Sequence, residues 1–473
     1  MNKVTLLILF VFAYSFASAQ LRLPAVISDH MVLQQNSEVQ LWGWDGPNQK
    51  IAIVGSWESR DTFKTVTANT ARWNTTIKTP IAGGPYSITI MGSQKLVLND
   101  VMMGEIWICS GQSNMEWSAN LGSADATADM PKANFPNIRL FQVNKSAAST
   151  PQEHGEGQWK ACTPETMRSF SSVGYFFGKK LQADLKVPIG LINVSWGGTA
   201  AEVWTPKEQV VNDPDLGSAA LTLGKNEWWP NGAGEVYNSM IRPLVPYSIA
   251  GAIWYQGESN SGAPASYSKL MKTMIESWRA DFKKDFPFYY VQIAPYNYGK
   301  TYEGALVREQ QSFMISIPNT GMVVISDAVD NIKDIHPKMK KPVGDRLANY
   351  ALAETYKKPI LGYQSPVYKS MVVEKNKVRV SFHYGSIGLI SQGGDPAGFM
   401  IAGEDRKFYP AIAKVEGETV VVFAKEVKLP VAVRFCFDNT SIPNLFNKEG
   451  LPVSIFRTDN WPLEVVDVQV NQK

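Results

Sequence analysis

GEIWICSGQSNMEW, residues 104–117, holds an unbroken apolar run, Ile106 to Cys109, followed by a polar turn. Ile106, Trp107, Ile108 and Cys109 put apolar side chains on both sides of an extended chain, the pattern of a strand covered on both faces of a parallel sheet. A tight turn holding Gly111 follows, and Ser113 stands where the strand passes into a helix. A hydroxyl so placed projects at the carboxyl edge of the sheet, next to backbone N–H groups that can stabilise an oxyanion. The turn is not a Gly-x-Ser-x-Gly elbow, because position 115 is Met.

The same kind of run recurs downstream. Residues 138–141, 189–194, 252–254 and 322–325 are short and largely apolar. Between them, 173–185 and 267–282 repeat apolar residues at spacings of three and four, so that Leu270, Met271, Met274, Ile275 and Trp278 line one helical face. Strands alternating with helices predict a three-layer α/β catalytic domain over 101–358, with a parallel sheet between helices and an active site at the carboxyl ends of its strands. Before it, Val39, Leu41, Ile51, Ile53, Trp73, Ile77, Ile88 and Ile90 fall in period-two runs broken by Asp45-Gly46-Pro47 and Gly83-Gly84-Pro85, which predicts an N-terminal β-sandwich domain over 20–100. After it, two β-branched runs flank residues 374–377 as a hairpin and open a C-terminal β-rich domain over 359–473.

Bulk properties narrow the function. The chain has 473 residues, more than one hydrophobic core usually serves. Its 46 basic and 43 acidic residues leave a formal charge of +3 with no concentrated field, which argues against nucleic acid as a partner. Lys3, an apolar run to Phe16 and Ala17-Ser18-Ala19 read as a cleavable signal peptide over 1–19, cut after Ala19, and imply a secreted or periplasmic protein. No later run approaches the roughly 20 apolar residues of a membrane span. Three cysteines, Cys109, Cys162 and Cys436, allow at most one disulfide, and neither a zinc site nor another metal motif is present. Oligomeric state is not readable.

A serine nucleophile needs a base, and the chain offers four histidines. His30 and His383 sit in β-rich terminal regions and His154 in a polar Gly/Glu loop, which leaves His336 in Asp334-Ile335-His336-Pro337, beyond the strand at 322–325. Pro337 biases His336 to an extended backbone, on which residues two apart share a side, so Asp334 can reach the imidazole. A carboxylate there fixes the tautomer and stabilises the imidazolium. Two more strand ends carry polar groups: the run at 189–194 leads into Ser195-Trp196-Gly197-Gly198-Thr199, and that at 252–254 into Tyr255-Gln256-Gly257-Glu258. Gly197 or Gly198 can present a backbone N–H, and Gln256 a side-chain N–H, to a tetrahedral oxygen alongside the N–H of Ser113. Trp117, Trp196, Trp204 and Tyr255 flank these motifs and offer apolar faces to a sugar ring or to the core.

GQSNMEW, SWGGTAAEVW, WYQGESN and DIHP, in this order, resemble the sialate O-acetylesterase family of the SGNH/GDSL hydrolase superfamily, and LPAVISDHMVLQQ, YNSMIRPL and NLFNKEGLPVSIFRTD extend the likeness over nearly the whole chain. The resemblance implies an SGNH-hydrolase (flavodoxin-like) domain with β-rich additions, and cofactor-free removal of O-acetyl groups from sugars. It carries the nucleophile to Ser113, the base to His336, and the oxyanion donors to Gln256 and a glycine of the 197–198 pair. The wider superfamily often has its acid three residues before the histidine, where this chain has Lys333. Asp334 is the expected acid; Glu258 is the alternative, because the chain's Gln-Gly-Glu is similar to the motif of a related group of sugar esterases that recruits its glutamate as the acid. The family substrate is acetylated sialic acid, acetylxylan is the alternative, and a non-catalytic sugar-binding protein is the reading from another class.

Overall fold

The structure, a computed structural model, describes residues 20–224 and 226–468. The segment 1–19, expected to be a signal peptide, lies outside the described residues. Among the described residues no helix is long and apolar enough to cross a membrane.

Seven strands come first: β1 (Val32–Gln34), β2 (Glu38–Trp44), β3 (Lys50–Gly55), β4 (Phe63–Val66), β5 (Arg72–Lys78), β6 (Gly83–Met91) and β7 (Lys95–Gly111). β2 and β5 pair antiparallel, and β4, β3, β6, β7 and β1 form the facing layer. Val39, Leu41, Trp73 and Ile77 from one layer pack with Ile51, Ile53, Ile88 and Ile90 from the other. These are the alternating positions of the sequence, turned inward by the period of two. β7 then continues for 17 residues without a break. Its first six alternate in exposure against β6, and from Val101 on every residue is buried.

The buried half of β7 is the centre of a second sheet with β8 (Phe135–Val143), β9 (Gly157–Cys162), β10 (Ile189–Ser195), β11 (Gly251–Tyr255), β12 (Phe288–Val291) and β13 (Thr320–Val323), in the order β13-β12-β11-β7-β10-β8-β9. All neighbours are parallel except β9, an antiparallel edge on β8. Successive residues feed opposite faces. Ile106, Ile108, Ile192, Val194, Ala252 and Trp254 join one core, and Trp107, Cys109, Leu191, Ile253 and Tyr255 the other. The helix Tyr267–Phe282 covers the first face with the five residues expected from its spacing, and the helices Ser172–Leu185 and Lys341–Tyr350 cover the second. This is the three-layer α/β architecture that the strand–helix alternation predicts. From β10 the chain crosses over β7 to β11, so β7 lies at the switch point where open α/β sheets place their ligand crevice.

The C-terminal part adds a four-stranded antiparallel sheet, Val367–Glu374, Lys377–His383, Thr419–Phe423 and Ile412–Glu416, and a smaller one through Phe399–Ala402 and Ala432–Phe435. Glu374 faces Lys377 across the expected hairpin. Arg457 forks onto Glu309, at 2.7 and 3.1 Å, and ties this part to the helix Glu303–Phe313. All three cysteines are buried and free; burial pushes the Cys162 and Cys436 thiols up to about 12, which makes them inert packing groups.

Candidate active site

Strand register assembles the site. Gly111, the last residue of β7, lies opposite Ser195 of β10 on one side and Tyr255 of β11 on the other. The three motifs that follow these strands therefore leave the sheet at one level. Gly111 has φ +135°, and a Cβ there would overlap the Tyr255 carbonyl. Only glycine lets β7 run this close to β11 while turning toward Ser113. Gly111→Ala is expected to cost about 1–3 kcal/mol in backbone strain and to lower the thermal midpoint and esterase activity together. An unshifted melting curve would reject this reading of the turn.

Ser113 opens a one-turn helix, Ser113–Glu116, and is half-buried. Its Oγ lies 2.9 Å from Nε2 of His336, 223 positions away in sequence. The Trp117 indole, just past the helix, stacks on the His336 ring at 4.0 Å and 13°. One short segment thus supplies both the hydroxyl and the surface that holds the imidazole flat. Burial is the largest influence on His336 and lowers its pKa; Lys340 lowers it further and Asp334 opposes. The other histidines are engaged elsewhere: His30 pairs with Asp100, His154 packs edge-on to Trp44, and His383 is exposed at a strand end.

Asp334 accepts the backbone N–H of His336 at 2.9 Å, an Asx turn, and its Oδ1 lies 3.8 Å from the imidazole Nδ1. That is ion-pair distance and longer than a hydrogen bond. Glu258, the alternative acid, is buried and accepts from Asn114 Nδ2 at 2.6 Å; the same amide donates to the Ile335 carbonyl at 3.0 Å. Lys340, fully buried, donates to Asn114 Oδ1 at 2.6 Å.

Three of the expected residues have their groups engaged elsewhere in this arrangement. The Gly197 N–H donates to Glu116 Oε2 at 2.7 Å, while Glu116 Oε1 pairs with Lys145 at 2.6 Å, so this amide is occupied in this arrangement. Gln256 is fully buried, and its amide hydrogens go to Asn260 Oδ1 at 2.7 Å and the Thr199 carbonyl at 3.3 Å. Its place in a polar network with Asn260 and Glu202 holds two strand-end loops together. Tyr255 is core, enclosed under Lys340 at 5.5 Å, and Trp204 is likewise buried. Ser113 and Gly198 keep backbone N–H groups that make no hydrogen bond to the described residues. Gly198, at φ +81°, has the Trp229 indole packed where a Cβ would stand. Trp196 is half-buried with Lys145 over its ring at 5.9 Å. Trp229, Asn114, Glu116 and Lys340 were not among the expected site residues; the Asn and Glu lie inside GQSNMEW and the Lys four positions past His336. Among the described residues no His, Cys, Asp and Glu cluster could hold a metal ion.

Residues 103–353 match the family profile described as carbohydrate esterase, sialic acid-specific acetylesterase. The chain belongs to this family. The esterase is 28% identical over 408 residues to the sialate O-acetylesterase of Homo sapiens, covering 78% of this chain and 76% of that protein. It is 27% identical over 414 residues to that of Mus musculus, covering 74% and 76%. In structure it is similar to a carbohydrate acetylesterase from Xanthomonas citri, with a TM-score of 0.84 and 37% identity over 93% of this chain and 100% of the other. The family membership makes this protein a carbohydrate O-acetylesterase, as the motif set implies.

Proposed function

We propose that this esterase removes acetyl groups from sugar hydroxyls through an acyl-enzyme on Ser113, with His336 as general base. The observation that carries the reading is the 2.9 Å approach of Ser113 Oγ to His336 Nε2. In the neutral imidazole with its proton on Nδ1, Nε2 accepts the Ser113 hydroxyl hydrogen, and Oγ attacks the acetyl carbonyl as that proton moves across. The N–H groups of Ser113 and Gly198 receive the negative oxygen. The sugar oxygen leaves with the proton from His336, and a water activated by the same imidazole releases acetate. Asp334, at 3.8 Å, stabilises the imidazolium formed in each step.

The reaction needs neutral His336. Burial lowers its pKa, so the neutral form persists to lower pH than for a free histidine, and rate is lost as pH falls through that lowered value. The acid limb of kcat/KM is expected below the ordinary histidine value of about 6.5. A midpoint above it would remove burial as the controlling influence.

The family description points to O-acetyl sialic acid as substrate. A second reading, a neutral acetylated glycan such as xylan, is favoured by Glu116: its carboxylate sits beside Ser113 and engages the neighbouring Lys145, leaving that cation less able to take a sialate carboxylate. Release of acetate from 9-O-acetyl sialic acid and from acetylxylan, measured side by side, decides between them. The expected export of the protein rests on residues 1–19 and is tested by N-terminal sequencing of the mature chain, which should begin at Gln20. A mature chain that still begins at Met1 would overturn it.

A further inference from the structure

Lys340 is the one lysine fully buried among the described residues. A buried ammonium is costly unless it is hydrogen-bonded and faces opposite charge. Here it has one polar contact, Asn114 Oδ1 at 2.6 Å, with the Tyr255 ring beside it and Glu258 as the strongest influence favouring its charge. An ammonium can only donate, so it fixes which way the Asn114 amide points: oxygen toward Lys340, nitrogen toward Glu258 Oε1 and the Ile335 carbonyl. Asn114 adjoins Ser113, and Ile335 adjoins His336. The contact therefore runs from the segment that holds the hydroxyl to the segment that holds the imidazole.

We propose that Lys340 is a positioning residue for the esterase reaction: through Asn114 its buried ammonium locks the His336 loop to the Ser113 helix at proton-transfer distance. The inference rests on the Ser113–His336 reading above. The same charge acts on the imidazole across space. Burial pushes Lys340 down to about 7, against Glu258, Asp125, Asp334 and Asp330 on the surrounding elements, which favour its charge. While charged it opposes imidazole protonation, with Asp334 acting the other way.

Two substitutions separate the contact from the charge. Lys340→Gln keeps an N–H donor toward Asn114 without the charge, and Lys340→Met removes both. With a small acetyl ester, Lys340→Gln is expected to keep kcat within about tenfold and to move the acid limb to higher pH, while Lys340→Met moves the limb equally and lowers kcat by about 10²-fold at unchanged KM, the scale of a misplaced reacting group. Lys340→Arg, which keeps the charge, should return the limb toward wild type. An acid limb that stays in place in Lys340→Gln overturns the proposal even if the Met variant fails to fold, and so does a Met variant no slower than the Gln variant. Measuring Ser113→Ala beside them keeps the two ideas apart: hydrolysis that survives in Ser113→Ala defeats the acyl-enzyme reading, whereas Ser113-dependent hydrolysis with an unmoved limb defeats the Lys340 proposal alone.

Discussion

Replacing Ser113 with alanine is expected to lower kcat for a small acetyl ester by about 10⁶-fold, the scale on which deleting the nucleophile of a serine hydrolase acts. The protein should remain folded. Ser113 is half-buried and its Oγ makes one hydrogen bond to the described residues, so the loss costs about 1 kcal/mol of stability. Acetate release and thermal unfolding, measured on the same preparation, check both halves. A variant that keeps more than about one part in 10³ of the activity, far above the roughly one part in 10⁶ that substrate binding and oxyanion contacts alone leave, takes Ser113 out of the mechanism.

Asp334→Asn should cost about 10²- to 10⁴-fold in kcat, the upper end being the effect of neutralising a triad carboxylate that is fully engaged with its imidazole. Asp334 stands 3.8 Å from Nδ1 and its Oδ1 is already held by the His336 N–H, so the contribution expected of it is the charge it sets beside the imidazolium. Asparagine keeps the backbone contact and removes the charge. Glu258→Gln should cost about tenfold, or about 1.4 kcal/mol, because a glutamine oxygen still accepts from Asn114. The comparison is read from kcat with the acetyl ester in excess. The reverse ranking would move the role of acid to Glu258.

Period and burial made the sheet legible. Residues 106–109, 189–194 and 252–254 are apolar on both sides because both of their faces are covered, and the helix Tyr267–Phe282 buries the residues its three-and-four spacing singles out. The first half of β7 was less transparent. It alternates as a one-sided strand does, and its second half reads as a two-sided one, so a change of environment within one strand looks in sequence like a change of unit. Ser113 is legible as the residue at the end of a buried strand and its glycine turn, and His336 by elimination among four histidines. Gln256 and Gly197 look like free donors in sequence because nothing local shows that Asn260, Thr199 and Glu116 take up their hydrogens. Lys340 looks like a solvated charge in a run of lysines; only the packing of Tyr255 and Asn114 around it reveals an enclosed cation.

β7 also has a mechanical meaning. Its 17 residues form a bar of roughly 55 Å at the rise of an extended chain, and the end that leads into the Ser113 turn is continuous with the end stitched into the amino-terminal layers. A cut between residues 100 and 101 would sever the central rib of the hydrolytic sheet rather than a tether. The amino-terminal layers are therefore poor material for shuffling by recombination: a crossover that exchanged them for a foreign module would have to rebuild the rib on which the reaction stands.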